Sequence, residues 1–265
     1  MQARAGFADV SGTRLYYEVA GAGRPLVLIH GFSLDSRLWD DQFAAFTRRH
    51  LVLRYDLRGF GRSAPPGGEP YAHADDLRAL LEHLGVGPVV LLGLSLGGGI
   101  AIDFALEHLD LTGALIPVDA MLGGYRMSEA WDASVRPIWR RGRAGDLEGA
   151  RAGWLDHPLF APIRERPAAA RFTRMVADYS GWHWLNRDPE RRADPPATQR
   201  LDRVGAPALV VVGERDLPDF RAVADLLARR IPDARLAVLP GVGHLPNLEG
   251  PERFNDTIAP FLDGL

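Results

Sequence analysis

The amino-acid sequence predicts an α/β fold with a mostly parallel central sheet and helices on its faces. Short apolar runs bounded by glycine, proline or aspartate recur along the chain, and segments with helical spacing lie between them. One long interruption of this alternation predicts an inserted helical region. The 265 residues, 46% of them hydrophobic, are enough for a single α/β core with such an insertion.

The predicted strands are short runs rich in leucine or β-branched residues, as expected for strands that are buried on both faces. The first run contains Tyr16, Tyr17 and Glu18 and is predicted to belong to an antiparallel hairpin at the sheet edge. In chain order the runs are residues 15–19, 25–29, 51–55, 89–92, 115–118, 208–212 and 236–239.

The predicted helices place apolar residues on one stripe, three or four positions apart. They cover residues 72–84, 98–107, 220–230 and 252–262. The alternation stops between residues 121 and 197, where five of the six tryptophans lie without a convincing strand. We therefore divide the chain into a first core part at 1–120, a helical insertion at 121–197 and a second core part at 198–265.

Composition excludes several classes of function. With no cysteine, the chain has no disulfide, thiolate metal site or cysteine nucleophile. All 31 basic residues are arginine, so a Schiff-base or P-loop lysine is also excluded. A net charge of −3 gives no electrostatic footprint for nucleic acid or an acidic membrane. No secretory signal or apolar membrane span is evident, so we expect a cytoplasmic protein without cofactor or metal.

The segment GLSLGG, residues 93–98, places Ser95 between a predicted strand and a predicted helix. In a G-x-S-x-G turn the small residues allow a tight bend that projects the serine hydroxyl above the sheet. We interpret Ser95 as a nucleophile. The alternative is a serine that caps the helix N-terminus.

The segment His30-Gly31-Phe32 directly follows another predicted strand. The backbone N–H groups of Phe32 and Leu96 could together bind the oxyanion of a tetrahedral acyl intermediate. His30 itself is interpreted as a buried histidine that braces the loop.

A serine nucleophile needs a base, and an imidazole base needs a carboxylate to fix its tautomer. Asp216 and His244 each follow a predicted strand, which gives the chain order Ser95, Asp216, His244. Asp119 and Asp219 remain competitors for the acid. Glu249 is interpreted as a support of the histidine loop.

Taken together, these stretches resemble the α/β-hydrolase superfamily, in particular small bacterial carboxylesterases and 3-oxoadipate enol-lactonase-type hydrolases. The resemblance implies an α/β-hydrolase fold with a helical cap inserted after the sixth strand. Its motifs, in family order, are HGF at 30–32, DLRGFGRS at 56–63, GLSLGG at 93–98, GERD at 213–216, GVGH at 241–244 and PERF at 251–254.

The resemblance implies a serine hydrolase that cleaves a carboxylic ester or lactone through an acyl-enzyme, as a monomer or homodimer acting on a small molecule. Serine at position 95 argues against the dehalogenases and epoxide hydrolases of this fold, which carry aspartate there. A C–C bond hydrolase or perhydrolase stays an alternative, although Leu94 and Leu96 weaken both. A small-molecule receptor or signalling protein with slow turnover is a further alternative.

Residues of the insertion and of the acid and histidine loops are expected to line the substrate pocket. Five arginines of the insertion, at positions 126, 136, 140, 141 and 143, are interpreted as a solvated helix face. One of them turned inward would favour a carboxylate-bearing substrate. The predicted lining residues are Trp139, Trp154, Trp182, Trp184, Leu217 and Leu245.

Overall fold

A computed structural model describes residues 3–265 and shows one eight-stranded sheet. The strand order is β1-β2-β4-β3-β5-β6-β7-β8. Only the pairs β1–β2 and β2–β4 are antiparallel, so the sheet from β4 to β8 is parallel. The strands are β1 (Arg4–Val10), β2 (Thr13–Ala20), β3 (Pro25–Ile29), β4 (Leu51–Tyr55), β5 (Val89–Leu94), β6 (Thr112–Val118), β7 (Ala208–Gly213) and β8 (Ala234–Leu239).

The predicted mostly parallel α/β architecture is confirmed, and the edge hairpin is formed by β1 and β2. Strand β1 was missing from the prediction because RAGFADV carries two charges and three small residues and no apolar run. Its residues are mostly exposed at the sheet edge, where a strand needs little hydrophobic patterning.

Helices cover both faces of the sheet and the ends of its strands. The 3-10 helix before α1 and α1 itself were not predicted, and α3 begins at Leu96 rather than Gly98. Outside the segment between β6 and β7 the helices are α1 (Asp40–Phe46), α2 (His73–Leu84), α3 (Leu96–Glu107), α9 (Pro218–Arg230), α10 (Pro246–Glu249) and α11 (Pro251–Asp263). Among residues 3–265, no helix combines the length and apolar character needed to span a membrane.

The segment between β6 and β7 is helical, and we call it the inserted segment (residues 121–197). It contacts loops that follow the parallel strands: Trp154 bonds Ser33 after β3, and Phe160 packs near His244 after β8. Its placement over these strand ends fits a cap, and its description as a separate domain stays a prediction. Its helices are α4 (Glu129–Arg143), α5 (Leu147–Leu155), α6 (Ala161–Arg164), α7 (Ala169–Asp178) and α8 (Trp182–Leu185).

Candidate active site

Ser95 lies at the sharp bend between β5 and α3, with φ +55° and ψ −113°. This backbone conformation is rare for a residue with a side chain, and it is stored strain of the kind found at functional sites. The neighbouring strand end holds the bend: the Ser95 N–H donates to Val118 O at 2.9 Å. The Ser95 carbonyl accepts from Gly99 N–H and Met121 N–H. The Ser95 hydroxyl does not cap α3, so the capping alternative is not supported.

Two glycines make this bend possible because neighbouring backbone leaves no room for a side chain. A Cβ on Gly93 would lie 2.1 Å from Gly97 O, and a Cβ on Gly97 would lie 2.2 Å from Ile29 O. Contacts that short do not occur between real atoms, so either substitution would push β3, β5 or α3 apart. The G-x-S-x-G spacing is therefore a packing requirement of this bend.

His244 and Asp216 meet at the ends of β8 and β7. His244 Nδ1 lies 2.8 Å from Asp216 Oδ2, and both side chains are almost completely buried. The other carboxylate oxygen of Asp216 accepts from the Leu217 N–H at 2.7 Å. In the tautomer in which Nδ1–H donates to this carboxylate, Nε2 keeps a lone pair that can accept a proton.

Glu249 fixes the backbone on both sides of His244. One carboxylate oxygen accepts from Gly243 N–H at 2.6 Å and the other from Leu245 N–H at 3.1 Å. Burial raises the pKa of Glu249, and these two hydrogen bonds act against that rise. The arrangement fits the predicted role of Glu249 as a support of the loop.

Asp119 is a second buried acid beside Asp216. Oxygen and nitrogen atoms of Asp119, Asp216 and His244 lie within 4.8 Å of one another, a spacing that a metal ion could also bridge. One Asp119 oxygen accepts from Gly213 N–H at 2.9 Å, and the other has no partner within residues 3–265. Burial, and then the charge of Asp216, raise the pKa of Asp119 well above its usual range.

Asp219, the remaining candidate for the acid that orients His244, bonds Ser128. It accepts from the N–H and the hydroxyl of Ser128 at 2.6 and 2.7 Å, so it ties the start of α4 to the start of α9. Of the three acids, Asp216 is the one that bonds the ring of His244.

The loop after β3 presents a backbone donor beside Ser95. The buried His30 donates from Nδ1 to Gly31 O at 2.8 Å and accepts at Nε2 from Leu57 N–H at 2.9 Å. Burial lowers the pKa of His30, so its ring is neutral and fits this pattern. Within residues 3–265, neither the Phe32 N–H nor the Leu96 N–H has a protein acceptor.

The ring of Phe32 sits at the centre of an aromatic cluster. Six aromatic rings surround it with centroid distances of 5.6 to 5.9 Å. They belong to Phe60, Trp139, Trp154, Tyr179, His183 and Trp184. All but Phe60 come from the inserted segment, so one residue joins this segment to the loop after β3.

Ser95 and His244 open into one cavity of about 220 Å³, which we call the catalytic cavity. Apart from these two residues its side chains are apolar or aromatic. The lining consists of Gly31, Phe32, Leu34, Leu94, Ser95, Leu96, Met121, Trp131, Val135, Trp139, Trp154, Leu159, Phe160, Phe220, His244 and Leu245.

Comparison with known proteins identifies the family of this chain. A sequence model described as "Alpha/beta hydrolase family" matches residues 26–257. The chain belongs to the alpha/beta hydrolase family. The recognition of this family from the sequence is thereby confirmed, and so is the fold.

Relatives of this alpha/beta hydrolase include different hydrolases. The structure of a malate-bound thermophilic esterase from Thermogutta terrifontis is 29% identical, with 98% of both chains covered and a TM-score of 0.84. An enol-lactonase from Burkholderia xenovorans LB400 is 24% identical, with 97% and 100% covered and a TM-score of 0.82. A putative carbamate hydrolase, RutD of Azorhizobium caulinodans, is 28% identical over 96% of this chain and 97% of its own.

The cavity of this hydrolase includes some of the predicted lining residues and omits others. Trp139, Trp154 and Leu245 line it, but Trp182, Trp184 and Leu217 do not. Trp184 is fully buried behind Phe32, and Trp182 packs on His183 instead. Leu217 points into a separate groove. A count of aromatic residues did not say which face of the short helix with Trp182 and Trp184 meets the cavity. A substrate contact of these three residues stays a prediction.

Trp131 is a lining residue that the sequence analysis missed. Together with Val135 and Trp139 it forms one stripe of α4 at positions i, i+4 and i+8, and all three line the cavity. That spacing was visible in the sequence and would have predicted the face of the helix.

Proposed function

We propose that this protein is a serine hydrolase that cleaves carboxylic esters through an acyl-enzyme intermediate, with lactones as cyclic esters in the same class. The observation that carries the proposal is the joint placement of Ser95 and His244. A strained bend presents the serine, a buried carboxylate orients the histidine at 2.8 Å, and both line one cavity.

In the proposed reaction, His244 Nε2 takes the proton of the Ser95 hydroxyl as its oxygen attacks the ester carbonyl. The N–H groups of Phe32 and Leu96 bind the oxyanion that forms. Asp216 stabilises the imidazolium through Nδ1–H. The imidazolium then protonates the leaving alcohol, and water activated by the same histidine releases the acid.

The catalytic cavity favours a small, uncharged acyl group. Its 220 Å³ compares with an engineered apolar cavity of about 150 Å³ that binds benzene. The five arginines of the inserted segment considered above are all exposed, and none lines the cavity. A substrate with a carboxylate in the acyl part would meet no countercharge there, so the neutral ester is the better candidate.

The test is steady-state hydrolysis of p-nitrophenyl esters from acetate to octanoate by wild type and Ser95→Ala. Loss of the nucleophile is expected to lower kcat on the order of 10⁴- to 10⁶-fold. Ser180→Ala, an exposed serine outside the cavity, is the matched control and should match wild type. Equal activity of Ser95→Ala and wild type would refute the mechanism. Absence of turnover on every ester would favour the receptor alternative.

A further inference from the structure

A second concavity lies on the outer side of Trp131, between the start of α4 and the start of α9. Its volume is about 460 Å³, roughly twice that of the catalytic cavity, and we call it the outer groove. It is lined by Tyr125, Ser128, Ala130, Trp131, Ser134, His157, Pro158, Leu217, Pro218, Asp219 and Ala222.

Trp131 is the wall between the two spaces because it lines both. Its ring packs edge-on against Phe220 at 5.4 Å and His157 at 5.5 Å. Within residues 3–265, no group accepts a hydrogen bond from its indole N–H, whereas the indole of Trp154 is tied to Ser33. The ring of Trp131 is therefore held by packing, whereas its backbone bonds Ser128 and Ser134.

The outer groove adjoins the side of the site on which the leaving group must be protonated. The ring of Phe220, which packs on Trp131, lies 4.4 Å from the ring of His244. A general acid must reach the leaving oxygen directly, so the alcohol part of an ester begins next to His244. The groove and the catalytic cavity share Trp131 as a lining residue, and the cavity also reaches Trp139 and Trp154.

The polar groups of the outer groove are already paired with one another. Ser128 and Asp219 bond each other, and the Ser134 hydroxyl donates to Trp131 O. His157 bonds Ser134 through Nε2 and accepts from Leu159 N–H at Nδ1. Burial lowers the pKa of His157, so no positive charge faces the groove from this residue. These groups leave the groove suited to an apolar ligand.

From this placement we infer that the outer groove binds the alcohol part of the substrate, and that this part is an uncharged alkyl or aryl group larger than ethyl. The inference rests on the proposed ester hydrolysis. It divides the substrate between two spaces: a short acyl group lies in the catalytic cavity, and a longer alcohol passes Trp131 into the groove.

The test uses two ester series. One keeps the acyl group as acetate and lengthens the alcohol from ethyl to octyl, and the other keeps p-nitrophenol and lengthens the acyl chain. Each methylene that enters the groove should raise kcat/KM of wild type by up to about fourfold. In the acyl series, kcat/KM should fall once the chain outgrows the catalytic cavity.

Ala130→Trp should fill the groove, since Ala130 is exposed and lines it. It is expected to lower kcat/KM for octyl acetate at least about tenfold and to change ethyl acetate by less than about twofold. Ala133→Trp is the matched control, because Ala133 is an exposed alanine of the same helix outside both linings. Ala222→Trp fills the groove from α9 and should repeat the effect of Ala130→Trp.

Equal profiles of Ala130→Trp and Ala133→Trp, or a wild-type rate independent of alcohol length, would overturn the groove inference. So would a loss confined to the acyl series. These outcomes are distinct from failure of the proposed function, in which wild type hydrolyses no member of either series.

Discussion

The strand-end loops and the inserted segment line the same cavity but are held in different ways. The loops are fixed by backbone geometry: a strained serine, glycines without room for a Cβ, and a glutamate bonded to two amides. The inserted segment is held by the packing of side chains, many of them aromatic rings, and by side-chain hydrogen bonds and ion pairs, among them Trp154–Ser33, Ser128–Asp219 and Arg171–Asp41. The candidate reacting groups, which need sub-ångström placement, lie on the rigid strand-end loops. The packed side chains of the inserted segment set the shape of the pocket.

The largest expected effect separates the two buried acids. Asp216→Asn should lower kcat about 10⁴-fold, since the amide no longer favours the tautomer in which His244 accepts from serine. Asp119→Asn should lower kcat about tenfold or less, because the amide carbonyl of the variant still accepts from Gly213 N–H. Steady-state kcat of both variants on the best ester is the measurement. The opposite order would make Asp119 the orienting acid.

The next effect concerns the rigidity of the loops. Gly97→Ala should lower the free energy of unfolding by about 2–3 kcal/mol, because its Cβ would meet the backbone of β3. Gly205→Ala is the control: this glycine is exposed and has open space around its Cβ position. Urea denaturation gives both values. If the two variants are equally stable, the bend is less constrained than its geometry indicates.

The smallest effect compares two tryptophans of the inserted segment. Trp154→Phe leaves the buried Ser33 hydroxyl without its donor at 2.6 Å, whereas Trp131→Phe removes no hydrogen bond. We therefore expect Trp154→Phe to be less stable than Trp131→Phe by about 1 kcal/mol. Thermal and urea unfolding of the pair measure this difference. A less stable Trp131→Phe would mean that the wall beside the outer groove is more firmly held than its contacts indicate.

The parallel core could be predicted because its strands are continuous apolar runs and its motifs lie directly after them. The spacing of GLSLGG fixes a local geometry, so it placed Ser95 at the bend between β5 and α3. Sites of open α/β sheets lie at the carboxyl ends of the parallel strands, and this rule predicted that Asp216 and His244 lie close together. In these cases a short stretch of sequence determines its own structure.

Other features depend on contacts between distant residues and could not be predicted. The four-residue helix that carries Trp184 is too short for its sequence to show which face is buried, and Trp184 lies behind Phe32. The raised pKa of Asp119 depends on its burial and on the charge of Asp216, nearly a hundred positions away in the sequence. Strand β1 depends on pairing with β2 and carries little apolar signal of its own.

Phe32 links the two regions, since it belongs to the loop after β3, lines the catalytic cavity and packs its ring against rings of the inserted segment. A substitution that repacks this cluster to admit a new acyl group will also move a proposed oxyanion donor. Variants selected to accept a new acyl group should therefore have a lower turnover. The effects of substitutions at position 32 and at the tryptophans around it should be strongly non-additive. Changes on the outer groove side of Trp131 escape this coupling, which makes that side the better starting point for redesign.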